Sequence, residues 1–154
     1  MTLIPEESQR LHYLIAYYHV PPSLSEAQHA GTACVWCGGP PGPDAVDLEY
    51  PRRRGCPDCY LAQLLWLVTW YDWQQHVLDC TPCRQRRTCH VGHGRRVQHE
   101  LTIVPAGKEP QSCAPCGRTV EAAEQVMPVL VEGSAHSHLG YGHTHCVTER
   151  ETTG

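Results

Sequence analysis

The sequence predicts a small metal-stabilised α+β chain in which cysteine-rich knuckles are joined by a central buried helix. Three observations predict it. Eight of the ten cysteines fall into C-x-x-C pairs, at Cys34/Cys37, Cys56/Cys59, Cys80/Cys83 and Cys113/Cys116. Thirteen glycines, thirteen prolines and the absence of phenylalanine leave little room for long elements or an ordinary core. The most apolar, Trp-rich stretch of the chain lies between the second and third pairs. Short elements with few core fillers cannot bury enough apolar area alone, and bound metal is the natural remedy.

The same cysteines could form the disulfide framework of a secreted domain. The start, MTLIPEESQRLHY, has no basic segment followed by an apolar one and a small-residue cleavage site, so export is not expected. A reducing cytoplasm is expected instead, where paired C-x-x-C spacing points to metal or redox chemistry. The longest apolar run, Tyr60 to Tyr71, is about 12 residues against the roughly 20 of a membrane span, so no membrane partner is expected. One lysine against eleven arginines, with no asparagine, suggests a GC-rich genome or its phage.

In chain order, Leu11, Leu14, Ile15 and Tyr18 repeat at i, i+3, i+4, i+7, predicting an amphipathic helix over residues 5–19. Pro5, Glu6 and Glu7 suit its first turn, and Pro21-Pro22 stop it. This helix either packs on the metal-bound core or docks a protein partner. Ser23 with Glu26 has the form of a capping box and predicts a second helix over about 24–30. Cys34 and Cys37, followed by two glycines, form the first knuckle, and Cys56 and Cys59 complete C-x2-C-x18-C-x2-C, a structural-zinc spacing. A short strand is expected near Ala45 to Tyr50.

From Pro57 a helix carries Trp66, Trp70, Trp73 and Val77 on one face and Leu61, Leu64, Leu65 and Val68 on another. Apolar residues on two faces predict burial, by the rest of the chain or by a second copy in a homodimer. His76 and Cys80, four apart, share a helix face; with Cys83 and Cys89 they make H-x3-C-x2-C-x5-C, with His90 and His93 as alternates to His76. The HVLDCTPCR segment resembles the H-x3-C-x2-C signature of zinc-containing anti-sigma factors. That resemblance, over about eight residues, implies a shared way of holding zinc and, in some members, oxidation sensing. Cys89 departs from it by offering a local fourth ligand.

Arg84, Arg86, Arg87, Arg95 and Arg96 surround this set. Eight arginines against three aspartates between positions 52 and 96 give that stretch a formal charge of +5 in a chain of net −4, part of it offset by thiolates. These arginines either face nucleic-acid phosphate or balance thiolate charge in a solvated loop.

Residues 97–104 fit either a continuing helix or a strand, and AGKEPQS reads as a linker. The domain division expected is 1–30 N-terminal helices, 31–104 a double-zinc module and 105–154 a C-terminal zinc finger. There Cys113, Cys116, His143 and Cys146 form the third set, with His136, His138 and His145 as substitutes; a strand is expected at 129–131 and a terminal helix at VTERE. Knuckle, hairpin and a ligand pair opening a helix resemble the treble-clef or LIM-like finger. The whole chain resembles the small multi-C-x-x-C proteins of high-GC Gram-positive bacteria and their phages, which implies zinc and cytoplasm.

Ten cysteines and two histidines supply the twelve ligands of three tetrahedral zinc ions. A catalytic zinc keeps a position open for water. No H-E-x-x-H, phosphate loop, nucleophile elbow or deaminase motif occurs, and an HNH-type nuclease lacks its downstream Asn or His. The expectation is therefore a non-enzymatic regulator or adaptor engaging nucleic acid or a transcription or translation complex through the arginines. The alternatives are a protein-protein module through the N-terminal or Trp-rich helix, or a redox switch at the His76 to Cys89 set.

Overall fold

The computed structural model describes residues 3–49, 52–133 and 137–151. They fall into two compact units, residues 1–67 with 105–107 and residues 68–104 with 108–154. The division lies inside the long central helix, so the 31–104 segment contributes to both.

In the first unit, helix α1 (Pro5–Tyr18) starts with proline and two acids and buries Leu11, Ile15 and Ala16, while Tyr18 stays exposed. Helix α2 (Glu26–Ala30) is capped by Ser25, not Ser23. The Ser25 hydroxyl accepts from the Gln28 N–H at 3.2 Å, and the Gln28 Oε1 accepts from the Ser25 N–H at 2.8 Å. The second S-x-x-E/Q pattern wins over the overlapping first because Gln28 also reaches forward. Its Nε2 donates to the carbonyls of Cys34 (3.1 Å) and Val35 (3.2 Å), tying α2 to the knuckle. Gly31 ends α2 at φ +78°, and a Cβ there would lie 2.1 Å from the Arg52 carbonyl oxygen, so no other residue fits.

The strand expected at 45–50 is only β1 (Val46–Asp47), paired antiparallel with β2 (Arg54–Gly55); Tyr50 lies outside the described residues. Ala16, Val35 and Leu48 make a small core, with Val20, Leu24, Trp36, Val46 and Tyr60 packed against it.

Helix α3 (Pro57–Asp79) runs 23 residues. Its Trp face is buried, with Trp66, Trp70, Trp73 and Val77 between 0 and 7 % exposed. Its Leu face is not: Leu61 and Leu65 are 51 % and 41 % exposed, and Leu64 is half-buried. Of that set only Val68 is buried. Helical periodicity identifies which residues share a face, but whether anything covers it depends on contacts the periodicity does not encode.

In the second unit α3 is followed by α4 (Thr81–Arg84) and α5 (His90–Ile103), so residues 97–103 continue a helix and form no strand. Strands β3 (Val126–Glu132) and β4 (Ser137–His143) pair over seven positions, from Val126↔His143 to Glu132↔Ser137, and α6 (Thr144–Glu151) follows. The expected strand at 129–131 is the middle of β3. Trp70 Nε1 donates to the Gly140 carbonyl at 3.1 Å. Fully buried His99 links Thr69 (2.9 Å) to the Tyr141 hydroxyl (2.5 Å). These bonds satisfy polar atoms that burial would otherwise leave costly. Among the described residues no helix is long and apolar enough to cross a membrane.

Candidate metal centres

Three groups of four side chains bring their donor atoms within 4.8 Å of one another: Cys34/Cys37/Cys56/Cys59, His76/Cys80/Cys83/Cys89 and Cys113/Cys116/His143/Cys146. All ten cysteines are free thiols. The spacings fit a metal ion and not disulfides. A tetrahedral ion with Zn–S bonds of about 2.3 Å sets sulfur-sulfur edges of about 3.8 Å, whereas a disulfide needs about 2.05 Å. Cys37 and Cys56 sulfurs are 4.0 Å apart, and those of Cys80 and Cys89 3.7 Å. The His143 Nδ1 lies 3.4 Å from the Cys116 sulfur and 3.8 Å from that of Cys146.

Local backbone explains each placement. In the first group the knuckle closes by Gly38 N–H to Cys34 O (2.9 Å) and Cys34 N–H to Gly39 O (2.8 Å), with Gly38 at φ +73°. The second pair sits where β2 ends and α3 begins, and the Cys56 N–H donates to the Cys34 sulfur at 3.3 Å. In the second group His76 lies in the last turn of α3 and Cys83 in α4, while Cys80 and Cys89 are the N-cap residues of α4 and α5. The Cys89 sulfur accepts from the Gly92 N–H at 3.2 Å, and the His76 Nε2 lies 3.1 Å from that sulfur. Gly92 has to be small, because a Cβ there would lie 2.9 Å from the Cys83 sulfur. In the third group Cys113 and Cys116 form a knuckle, His143 ends β4, and Cys146 lies in the first turn of α6. His90, His93, His138 and His145 are exposed and belong to none of the three groups, although the His145 ring stacks on His143 at 5.2 Å. His136 lies outside the described residues.

The thiols also carry the electrostatic mark of a cation site. In the first group burial pushes the Cys34 thiol up, but the N–H groups of Cys37, Cys56 and Trp36 outweigh it and bring it down to about 7. Cys59, desolvated and facing its neighbours' charge, is pushed up. In the second group the Gly92 N–H, then His76, lower Cys89 to about 6, while burial raises Cys83 to about 11. In the third the Arg118 N–H lowers Cys116 to about 6, and desolvation raises Cys146 to about 11. In each pocket one thiol ionises readily while desolvation, and after it the neighbouring thiols, hold another protonated; a central dication would offset both effects.

Sequence reasoning missed one residue of the third centre. The ring of His143, fully buried, presents Nδ1 to the sulfurs and places Nε2 2.9 Å from the Glu124 carboxylate. A ligating histidine held by a carboxylate on its other nitrogen is the usual support of a metal ligand. The bond to Glu124 raises the His143 pKa, and the Glu121 N–H, then His143, lower that of Glu124. Glu124 stands 19 residues before His143, and no spacing rule marks it.

The five arginines divide. Arg84 and Arg87 are exposed, Arg86 and Arg95 half-buried. Arg96 is 6 % exposed and does not belong to an open surface: its guanidinium donates to the Glu100 carboxylate (2.7 Å) and the carbonyls of Glu124 (2.6 Å) and Glu121 (3.2 Å). Comparison with protein-family models, curated proteins and solved structures gives no match, so the geometry of the three centres carries the reading by itself.

Proposed function

We propose that this chain is a zinc-binding, non-catalytic regulator or adaptor of the cytoplasm that engages nucleic acid, or a machine that handles it, through Arg84, Arg86, Arg87 and Arg95. Zinc suits the donors: sets of three cysteines with one histidine are closed zinc ligand sets, and so is a set of four cysteines. Four protein donors per ion leave no position for a substrate or reactive water, which favours a structural over a catalytic role. The third centre, built as knuckle, hairpin and helix, is read as a treble-clef-like finger.

The observation that carries the proposal is the position of Arg84, the last residue of α4, and Arg87, just after it, both exposed in the segment between the candidate ligands Cys83 and Cys89. A bound ion would hold that segment and fix the cations, lowering the entropy cost of setting them against phosphate. Arg96 is excluded because it is buried, with its guanidinium held by Glu100 and two backbone carbonyls. The test is a gel-shift titration at several salt concentrations. Unmutated protein should bind with a log-log salt slope of about −3 to −4 for four phosphate contacts, and Arg84, Arg86, Arg87 and Arg95 changed together to Glu should abolish the shift. No shift from unmutated protein at low salt overturns the proposal. Recovery of a nuclease-resistant protein partner in its place would transfer the reading to α1, where Tyr13, Tyr17 and Tyr18 are 44–53 % exposed and close together.

A further inference from the structure

We infer that Arg96 and Glu124 form a positioning relay that sets how tightly the third centre keeps its ion. The inference rests on the metal reading and on none of the nucleic-acid reading.

Metal-ligand imidazoles have two ring nitrogens, and only one faces the ion. Which one carries the proton is decided by the partner of the other. In the third centre the deciding partner is Glu124. Its Oε2 accepts from the His143 Nε2–H at 2.9 Å and from the Glu121 N–H at 2.8 Å, and its Oε1 lies 3.7 Å from Arg118. The carboxylate thus selects the tautomer whose Nδ1 is bare toward Cys116 and Cys146.

A carboxylate can do this only if it is itself held, and Glu124 sits on a turn outside the regular elements. That turn closes by the Glu124 N–H to the Glu121 carbonyl at 3.0 Å. Arg96, reaching from α5, then holds the carbonyls of both residues with one guanidinium whose Nε is fixed by Glu100. The fork geometry of arginine, and not its charge alone, makes this two-point grip; a lysine could not reproduce it. A buried arginine spent on two backbone carbonyls is costly to desolvate, and fixing the support of a metal ligand accounts for its place.

The test loads the full chain with zinc, titrates a competing chelator, and maps by peptide alkylation which cysteines become reactive. In Glu124→Leu, Cys113, Cys116 and Cys146 should open at chelator levels about 10- to 100-fold lower than in unmutated protein, with the first group unchanged. Glu124→Gln, which keeps an acceptor for the His143 Nε2–H, should restore most of the resistance, whereas Glu124→Met, of similar size but without an acceptor, should stay as weak as the Leu variant; a role in packing alone would be met by both. Arg96→Met should weaken the same three cysteines by a smaller factor. Wild-type resistance in Glu124→Leu, or a Gln variant as weak as the Leu variant, overturns the relay. If Glu124→Leu does not fold, Arg96→Met decides, and unmutated resistance at Cys113, Cys116 and Cys146 in that variant overturns the relay. Unmutated protein whose third-group thiols react freely after zinc loading removes the metal reading instead, and the relay with it.

Discussion

The first and third centres solve one problem by different means. The first gathers four thiolates, formally −2 with a dication, and stabilises sulfur with backbone N–H groups such as that of Cys56. Its surroundings are a local apolar core of Ala16, Val35 and Leu48. The third replaces one thiolate with His143, formally −1, and adds a carboxylate on the ring's far side. Its neighbourhood is a polar network through His99 and Tyr141, whose rings both pack on Trp73. The all-thiolate site is supported by backbone N–H groups, whereas at the third centre the ring of His143 is held on its far side by a side chain, Glu124.

The largest expected effect is metal removal. Structural zinc contributes on the order of 10 kcal/mol per site, comparable with the whole net stability of a domain, about 5–15 kcal/mol, so loss of all three ions to excess chelator should abolish the helical circular dichroism signal. At limiting chelator the comparison sharpens: the all-thiolate first group, more negative and softer, should keep its ion when the third has lost it. Alkylation of Cys113 before Cys34 is the expected order; the reverse breaks the comparison.

Next in size is Trp70→Ala. Removing a fully buried indole and its bond to the Gly140 carbonyl should cost about 3–5 kcal/mol in the zinc-loaded protein. Differential thiol exposure during urea unfolding should place that loss at the third group and spare the first. Equal weakening of both would show that the two surroundings are not energetically distinct.

The smallest is Arg86→Gly. Arg86 follows α4 at φ +64°, with its N–H on the Cys83 carbonyl at 3.0 Å, the helix-ending position where glycine is usual. Left-handed backbone costs a residue with a Cβ roughly 1–2 kcal/mol, so the substitution should raise the unfolding midpoint of the zinc-loaded protein slightly. If binding through this loop is correct, the same variant should lose about one unit of salt slope. A stable variant with an unchanged slope would separate the turn from any phosphate contact.

The donors are legible in the sequence because tetrahedral coordination demands short pairs, and C-x2-C and H-x2-C are what one turn of backbone can bring together. The Trp face of α3 is legible for the same local reason. What local spacing does not carry is the support around a site. Glu124 meets His143 because the β3-β4 hairpin returns the chain to the turn before it. Arg96 reads as one more cation in an arginine-rich run, although Glu100 at i+4 marks it as part of a helix; its carbonyl partners 25 and 28 residues away are set by tertiary packing. The Leu face of α3 fails for the complementary reason, since apolar periodicity does not say what lies opposite.

The Cys89 sulfur is placed for two roles, as one of four donors that could hold a metal ion and as the acceptor for the Gly92 N–H at the start of α5. An isolated 14-residue helix is marginal in water because its first turn is costly to nucleate. An ion held by this group would fix Cys89 against His76, Cys80 and Cys83 and so would also fix the first turn of α5, coupling the winding of that helix to metal binding.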